Sequence, residues 1–290
     1  MELPLVVGVD GSEPSLRAVD WAADEAVLHG VELRVVYASL WERYEGTSLA
    51  TDLGKPSEAV LAQDVVDLGS RRAHERHPDL KVTPVALAEE PEYALVHEGR
   101  QASALVMGSR GRSGIAEFLL GSVSLSVAAH ADCPVIVLRG NHDKQAVPGT
   151  HGRIVLGVGE DGAESSAVRF AVDEARRRGA RLEAVRAWRC PAHESTDHPL
   201  MAGEPARLHE ERAVAALEGA LRDVPADADV HRRTVEGHAR RVLADLSRDA
   251  DLLVVGAKRR EGRFGLQLGR VAHAVLHHSA CPVAVVPQRA

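Results

Sequence analysis

The feature that most constrains the fold of this chain is an internal repeat: the second half of the sequence resembles the first. The segment "LVVGVDGSEPSLRAVDWAADEAVLHGVELRVVYA" near the start returns as "RIVLGVGEDGAESSAVRFAVDEARRRGARLEAVRAW" from Arg153. The ending "HADCPVIVL" returns as "HSACPVAVV". Gly8 and Gly157 are 149 positions apart, and Cys133 and Cys281 are 148 positions apart. A repeat this long indicates two whole domains in tandem, not a solenoid of short units.

The length agrees with two domains, since 290 residues are too many for one domain of average size. The joint "RGNHDKQAVPGTHGR" is polar and contains Gly and Pro, as linkers do. We therefore predict one domain over residues 1–140, a linker over 141–152 and a second domain over 153–290.

Within each copy, short β-branched runs alternate with segments of helical spacing. The predicted strands are 5–9, 32–38, 80–87, 104–108 and 134–138, then 153–158, 181–188, 228–235, 252–256 and 282–287. The predicted helices are 14–29, 57–77, 91–101 and 122–131, then 164–179, 205–222, 238–250 and 270–279. This alternation predicts an α/β fold, with two doubly wound, five-stranded parallel sheets of the Rossmann-like kind. Ligands bind such sheets beyond the carboxyl ends of the strands.

Net charge, apolar stretches and cysteine spacing indicate which classes of protein this chain does not resemble. A net charge of −7 is unfavourable for general nucleic-acid binding, which depends on neutralising phosphates. No stretch is apolar for long enough to span a bilayer, and the N-terminus does not read as a signal peptide. Cys133, Cys190 and Cys281 are widely spaced, and we expect Cys133 and Cys281 to be small buried residues. These features predict a cytoplasmic protein without membrane or nucleic-acid partners.

One loop of the first copy suggests a binding site. "GSRGRSGIAEFLLGS" (108–122) follows a strand and precedes a helix. Its glycines can expose successive N–H groups to an anion, and the helix N-terminus adds a favourable dipole. Ser122 can offer its hydroxyl to a phosphate oxygen or act as the helix N-cap. The alternative interpretation is a simple turn and cap with solvated arginines.

The pattern G-x2-G-x9-G-S, together with "GVDGS" and "DCPVIVL", closely resembles the universal stress protein family over nearly the whole chain. The resemblance implies an adenine-nucleotide-binding α/β fold, often dimeric through the last strands. It implies ATP as the ligand, with or without Mg2+, and a role in the response to stress.

The resemblance also implies which residues of the first copy form the site. Asp10 matches the family aspartate near the adenosine, Gly8 lines the same turn, and the backbone around Val36 lies beside adenine. The other implied contacts lie on the loop and at the start of the next helix: Gly108, Ser109, Arg110, Gly111, Arg112, Gly114, Gly121, Ser122 and Val123.

The second copy departs from this pattern. Gly159 stands in place of Asp10, Arg259 replaces the second loop glycine, and Arg270 replaces the terminal serine. We expect this copy to have lost ATP binding. Its basic cluster could instead attract another anion, occupy the former phosphate space, or pair with Glu261: Lys258, Arg259, Arg260, Arg263 and Arg270.

Other motifs carry less weight. "GVGEDG" (157–162) fits G-x-G-x-x-G, but no acidic residue ends the next strand, as a dinucleotide site requires. His273 and His277 are one helical turn apart, and we expect an exposed pair, not a metal site. No catalytic constellation can be assigned. Glu117 and Asp10 are the acids nearest in sequence to a bound γ-phosphate.

These observations together predict a nucleotide-dependent sensor with ATP in the first domain alone. A slow ATPase and a nucleotide-free scaffold are the alternatives. We expect the last strands, Pro134–Leu138 and Pro282–Val286, to pair edge to edge as an intramolecular pseudo-dimer. A homodimer of chains and an unidentified regulatory protein partner are left open.

Overall fold

The computed structural model describes residues 3–40, 58–109, 120–139, 151–159, 166–190, 204–258 and 268–288. The chain divides into two compact units, one holding residues up to Pro148 and the other most residues from Gly149 onward. Both are α/β, as the sequence predicts.

The first unit contains five strands and four helices in its described part. The strands are β1 (Leu5–Gly8), β2 (Leu33–Ala38), β3 (Val82–Leu87), β4 (Ala104–Gly108) and β5 (Val135–Leu138). The helices are α1 (Glu13–His29), α2 (Glu58–Arg76), α3 (Pro91–Gly99) and α4 (Ser122–His130).

All pairs in this sheet are parallel, in the order β3-β2-β1-β4-β5. The chain winds outward from β1 in one direction and then crosses to β4, which creates a switch point between β1 and β4. Helices α1 and α2 pack against each other, as do α3 and α4. The doubly wound prediction is confirmed.

The second unit repeats this plan. Its strands are β6 (Arg153–Gly157), β7 (Arg181–Trp188), β8 (Val230–Glu236), β9 (Leu252–Lys258) and β10 (Val283–Gln288). Its helices are α5 (Ser166–Arg178), α6 (Glu204–Ala220), α7 (Ala239–Leu246) and α8 (Arg270–His278). The parallel order is β10-β9-β6-β7-β8.

Local sequence signals explain the first helix. Ser12 is its N-cap, Pro14 lies in the first turn, and Gly30 ends it in the left-handed region with φ 67. The Gly30 N–H donates to the carbonyl of Val27, and the Val31 N–H donates to that of Ala26. Only a residue without a Cβ adopts this C-terminal geometry at little cost.

Burial follows strand position in both units. The inner strands β1, β4 and β9 are built from Val, Leu and Ala, and Leu105 and Leu252 are fully buried. The outer strands β3 and β8 are partly exposed, and they carry Pro84 and the charged Arg232 and Arg233. Proline and charge on a sheet edge discourage pairing with another chain.

Several predicted boundaries differ from the structure by one to four residues, and two of these differences have a clear physical cause. The helix predicted over 238–250 ends at Leu246 and is followed by a 3-10 turn, Ser247–Asp249. There the Ser247 hydroxyl donates to the carbonyl of Ala244 and accepts from the N–H of Ala280. Strand β9 continues two residues beyond Gly256, because Ala257 and Lys258 pair with Pro287 and Gln288 of β10.

Candidate functional site

The first turn of the first unit is held by its own side chains. Asp10 Oδ1 accepts hydrogen bonds from the Ser12 N–H at 3.0 Å and the Ser12 hydroxyl at 2.5 Å. Ser12 Oγ in turn accepts from the Ser15 N–H at 3.4 Å. Gly11 has φ 79, a value that favours glycine. The sequence "DGS" thus places a half-buried carboxylate at the carboxyl edge of the sheet.

Gly8 and Val36 are sheet residues, so any ligand contact through them is a backbone contact. Gly8 is buried, and a Cβ there would lie 3.2 Å from both methyls of Leu95. The Val36 side chain is also buried, and its carbonyl accepts from the Val9 N–H at 2.9 Å.

Gly108 brings the end of β4 against the first turn of α1. A Cβ on Gly108 would lie 2.8 Å from the carbonyl oxygen of Pro14 and 3.2 Å from the nitrogen of Ser15. Real Cβ atoms do not approach backbone so closely, so only glycine fits. This approach places the end of β4 beside the first turn of α1, which directly follows the turn that holds Asp10.

Both ends of that loop are tied together. The Gly121 N–H donates to the carbonyl of Ser109 at 2.8 Å. The Ser124 hydroxyl donates to the carbonyl of Gly108 at 2.7 Å inside the protein. Sequence reasoning missed Ser124, whose only signal was a polar residue on the buried face of a helix.

Gly121, not Ser122, is the N-cap of α4, so the N-cap alternative for Ser122 is wrong. Gly121 has φ −61 and ψ 144, and no side chain caps the helix. Ser122 is the exposed first helical residue, and Val123 is half-buried. The first N–H groups of a helix have no partner within it, so this end can receive an anion.

Several predicted site residues lie outside the described residues. In the first copy these are Arg110, Gly111, Arg112, Gly114 and Glu117. In the second copy they are Arg259, Arg260, Glu261 and Arg263. The predicted roles of these residues stay predictions.

The corresponding edge of the second unit is built differently. Gly159 is exposed, and a Cβ there would meet nothing within 4 Å. Arg186 donates from Nη1 to the carbonyl of Val158 at 3.2 Å. A Cβ on Gly256, the counterpart of Gly108, would lie 2.2 Å from Nε2 of Gln288. The Gln288 side chain thus packs on Gly256, whereas the first turn of α1 packs on Gly108. Arg270 is the first residue of α8.

The other candidate groups are mostly structural. The rings of His273 and His277 lie 4.6 Å apart, and both residues are half-buried, so their predicted exposure is wrong. Cys133 and Cys281 are buried, as predicted. Burial raises the pKa of each thiol to about 12, so both are unreactive near neutral pH.

A family model identifies both halves of the chain. The model of the universal stress protein family matches residues 3–139 and again residues 150–287. The chain belongs to the universal stress protein family. It is a tandem member, since each compact unit contains one matched segment.

Relatives with the same tandem length support this membership. A universal stress protein of Mycobacterium tuberculosis strain H37Rv is 31% identical over 302 residues, covering 98% of this chain and 97% of that protein. One from Mycolicibacterium smegmatis is 31% identical over 299 residues, covering 99% and 98%. The crystal structure of a universal stress protein from Archaeoglobus fulgidus has a TM-score of 0.68 at 19% identity, covering 99% and 98%, and shares the fold. In the part of the chain that the structure describes, no helix is both long and apolar enough to cross a membrane.

Proposed function

We propose that this universal stress protein is a nucleotide-dependent regulator that binds ATP in its first unit alone. The observation that carries the proposal is the approach of Gly108 to Pro14, 2.8 Å for a notional Cβ. It brings the end of β4 and the first turn of α1, next to the Asp10 turn, together at the switch point between β1 and β4, where doubly wound folds bind ligands.

The described residues of the first unit fit an adenine nucleotide. The uncapped start of α4 and the exposed Ser122 hydroxyl suit a phosphate group. The half-buried Asp10 carboxylate suits a ribose hydroxyl, as the family resemblance implies. The chain would donate hydrogen bonds to the phosphates of ATP from the start of α4, and it would accept one from the ribose at Asp10.

The second unit has lost two of these elements. Gly159 cannot accept a hydrogen bond through a side chain, and Arg270 stands where Ser122 stands in the first unit. Arg186 also directs a guanidinium to the turn after β6, where the first unit has Tyr37. These differences favour one nucleotide site per chain.

The test is calorimetric titration of the full chain with ATP, with and without Mg2+. We expect one site per chain. Gly121→Arg should abolish binding, because a bulky side chain at the N-cap of α4 would occupy the space proposed for the phosphate. Gly269→Arg is the matched control at the N-cap of α8, where a Cβ meets nothing within 4 Å, and it should leave the titration unchanged.

Other results would contradict the proposal. Two ATP sites per chain would contradict binding in the first unit alone, and no heat with wild type would favour the nucleotide-free scaffold. Sustained phosphate release that Gly121→Arg abolishes would favour the slow ATPase. We favour the sensor because Asp10 is assigned to the ribose end of the nucleotide, whereas hydrolysis needs a base or metal ligand near the γ-phosphate.

A further inference from the structure

A cavity of about 450 Å³ opens in the second unit at the carboxyl ends of β7 and β8. Its walls come from the end of β7, the middle of α6 and the start of α7. Small-molecule sites have volumes of this order and lie at this edge of parallel sheets. A phosphate ion alone would leave most of the space unfilled.

The lining of this cavity is strongly basic, although the chain as a whole carries a net charge of −7. Among its described lining residues are three arginines and two histidines, and none is acidic: Arg186, Arg189, Arg212, His209 and His238. We call this space the arginine cavity. Like charges gathered around one space repel one another, and an anion placed among them is attracted by all of them.

The repulsion is visible at His238. Its pKa is lowered, chiefly by the positive charge of Arg189, with Arg240 and Arg241 adding to the effect. A neutral His238 can accept a hydrogen bond at Nε2 from Arg189 Nη1, which lies 3.0 Å away. That bond positions one guanidinium at the rim of the cavity.

Two backbone contacts hold the other walls in place. Arg186 donates to the carbonyl of Val158, which fixes its guanidinium across the end of β6. The Gly237 N–H donates to the carbonyl of Trp188 at 2.7 Å and joins the β8–α7 junction to the end of β7. Trp188 itself lines the cavity and supplies a flat apolar wall.

The internal repeat shows that the fold does not require these cations. At the positions that correspond to Arg186, Arg189 and His238, the first copy has Tyr37, Leu40 and Glu90. The same strand ends therefore form without basic side chains. The charge is a property of the second copy alone.

We propose that the arginine cavity binds a phosphorylated small molecule, with its phosphate on the arginines and its body against Trp188. Guanidinium groups bind phosphate through paired, charge-assisted hydrogen bonds, and a neutral histidine can add one N–H donor. This site is separate from the proposed ATP site, which lies in the first unit. It gives the second unit a ligand of its own.

The test uses pyrophosphate as the probe and the full chain as it exists. We expect saturable binding by calorimetry together with a change in Trp188 fluorescence that Trp188→Phe removes. Malonate, a dicarboxylate of lower charge, should bind at least about tenfold more weakly. Equal binding of malonate would overturn the assignment to phosphate, and no saturable binding of pyrophosphate would overturn the site.

Charge variants locate the binding. Arg189→Gln and Arg212→Gln should each weaken pyrophosphate binding roughly tenfold, since each removes a charge-assisted hydrogen bond. Both side chains are exposed, so neither change should affect folding, which circular dichroism verifies. Arg222→Gln is the matched control: it removes the same charge near the far end of α6, about 15 Å along the helix axis from Arg212. An equal loss in Arg222→Gln would mean general surface attraction and overturn the proposal.

The two proposals fail separately. In Gly121→Arg, which is designed to abolish ATP binding in the first unit, pyrophosphate should still bind with unchanged affinity. If pyrophosphate binding disappears with that substitution, the anion occupies the first unit and the arginine cavity is not its site. Failure of ATP to bind at all would leave the expected result for pyrophosphate unaltered.

Discussion

At the scale of single residues, equivalent glycines in the two copies pack against different kinds of atoms. Gly108 faces the backbone of α1, because a Cβ would lie 2.8 Å from the Pro14 carbonyl oxygen. Gly256 faces the end of the Gln288 side chain, which can rotate away. The space beside Gly108 is therefore limited by main-chain atoms, whereas the space beside Gly256 is limited by a side chain that can move.

This difference predicts unequal costs for the same substitution. Gly108→Ala should destabilise the protein by about 1–3 kcal/mol, since backbone must shift to admit the methyl group. Gly256→Ala, the matched change in the second unit, should cost clearly less. Urea unfolding followed by circular dichroism measures both. Equal costs would show that the approach of β4 to α1 is not as tight as the structure indicates.

At the scale of elements, an ion pair joins the residue just before β2 to the residue just before its outer neighbour β3. Lys81 Nζ donates to Glu32 Oε2 at 2.6 Å, and the Thr83 hydroxyl donates to Glu32 Oε1. The hydrogen bond from Lys81, followed by that from Thr83, lowers the pKa of Glu32 below its ordinary value of 4.5. Because Lys81 is largely exposed, solvent screens this interaction.

Glu32→Gln should therefore destabilise the first unit by only about 0.2–1 kcal/mol at neutral pH. A lowered folded-state pKa means that the stabilisation is complete above pH 4.5 and is lost as the pH falls through that lowered value. Wild type and variant should thus converge in acid. Urea midpoints across this range test the prediction, and Lys81→Gln should reduce the gap at neutral pH. A gap independent of pH would contradict it.

At the scale of the whole molecule, the pseudo-dimer stays a prediction. The N–H of Leu105 in β4 donates to the carbonyl of Pro134, just before β5, so the backbone polar groups of Pro134 and Ile136 face β4 in the parallel ladder. The N–H groups of Val135 and Val137 then point away from β4. These two N–H groups are hydrogen-bonded to backbone only if another strand pairs with that edge.

Hydrogen exchange of the full chain tests this directly. If β5 and β10 pair edge to edge, the amides of Val135 and Val137 should exchange as slowly as that of Ile136, because all three are hydrogen-bonded. Val6, in the inner strand β1, is the internal reference for a protected amide. Fast exchange at Val135 and Val137 alone would show an open edge and contradict the pseudo-dimer.

Much of the fold was predictable because its signals are local. The apolar runs of β1 and β9 indicate inner strands, and Ser12 and Gly30 mark the ends of α1 by capping chemistry that needs no distant partner. The helix predicted over 238–250 was too long, because its end depends on Ser247 bonding to Ala280, far along the chain. The turn "DGS" was recognisable for the same local reason as the caps.

The sequence by itself determined the tandem plan, the parallel α/β class and the family, since repeats, periodicity and motifs are written in order along the chain. Tertiary structure alone decided that Gly108 lies on Pro14, that Ser124 bonds to Gly108, and that Gln288 covers Gly256. It also gathered Arg189 and Arg212 around one cavity. These contacts join residues far apart in sequence, and which of them meet is set by strand order and helix packing, which no local pattern encodes.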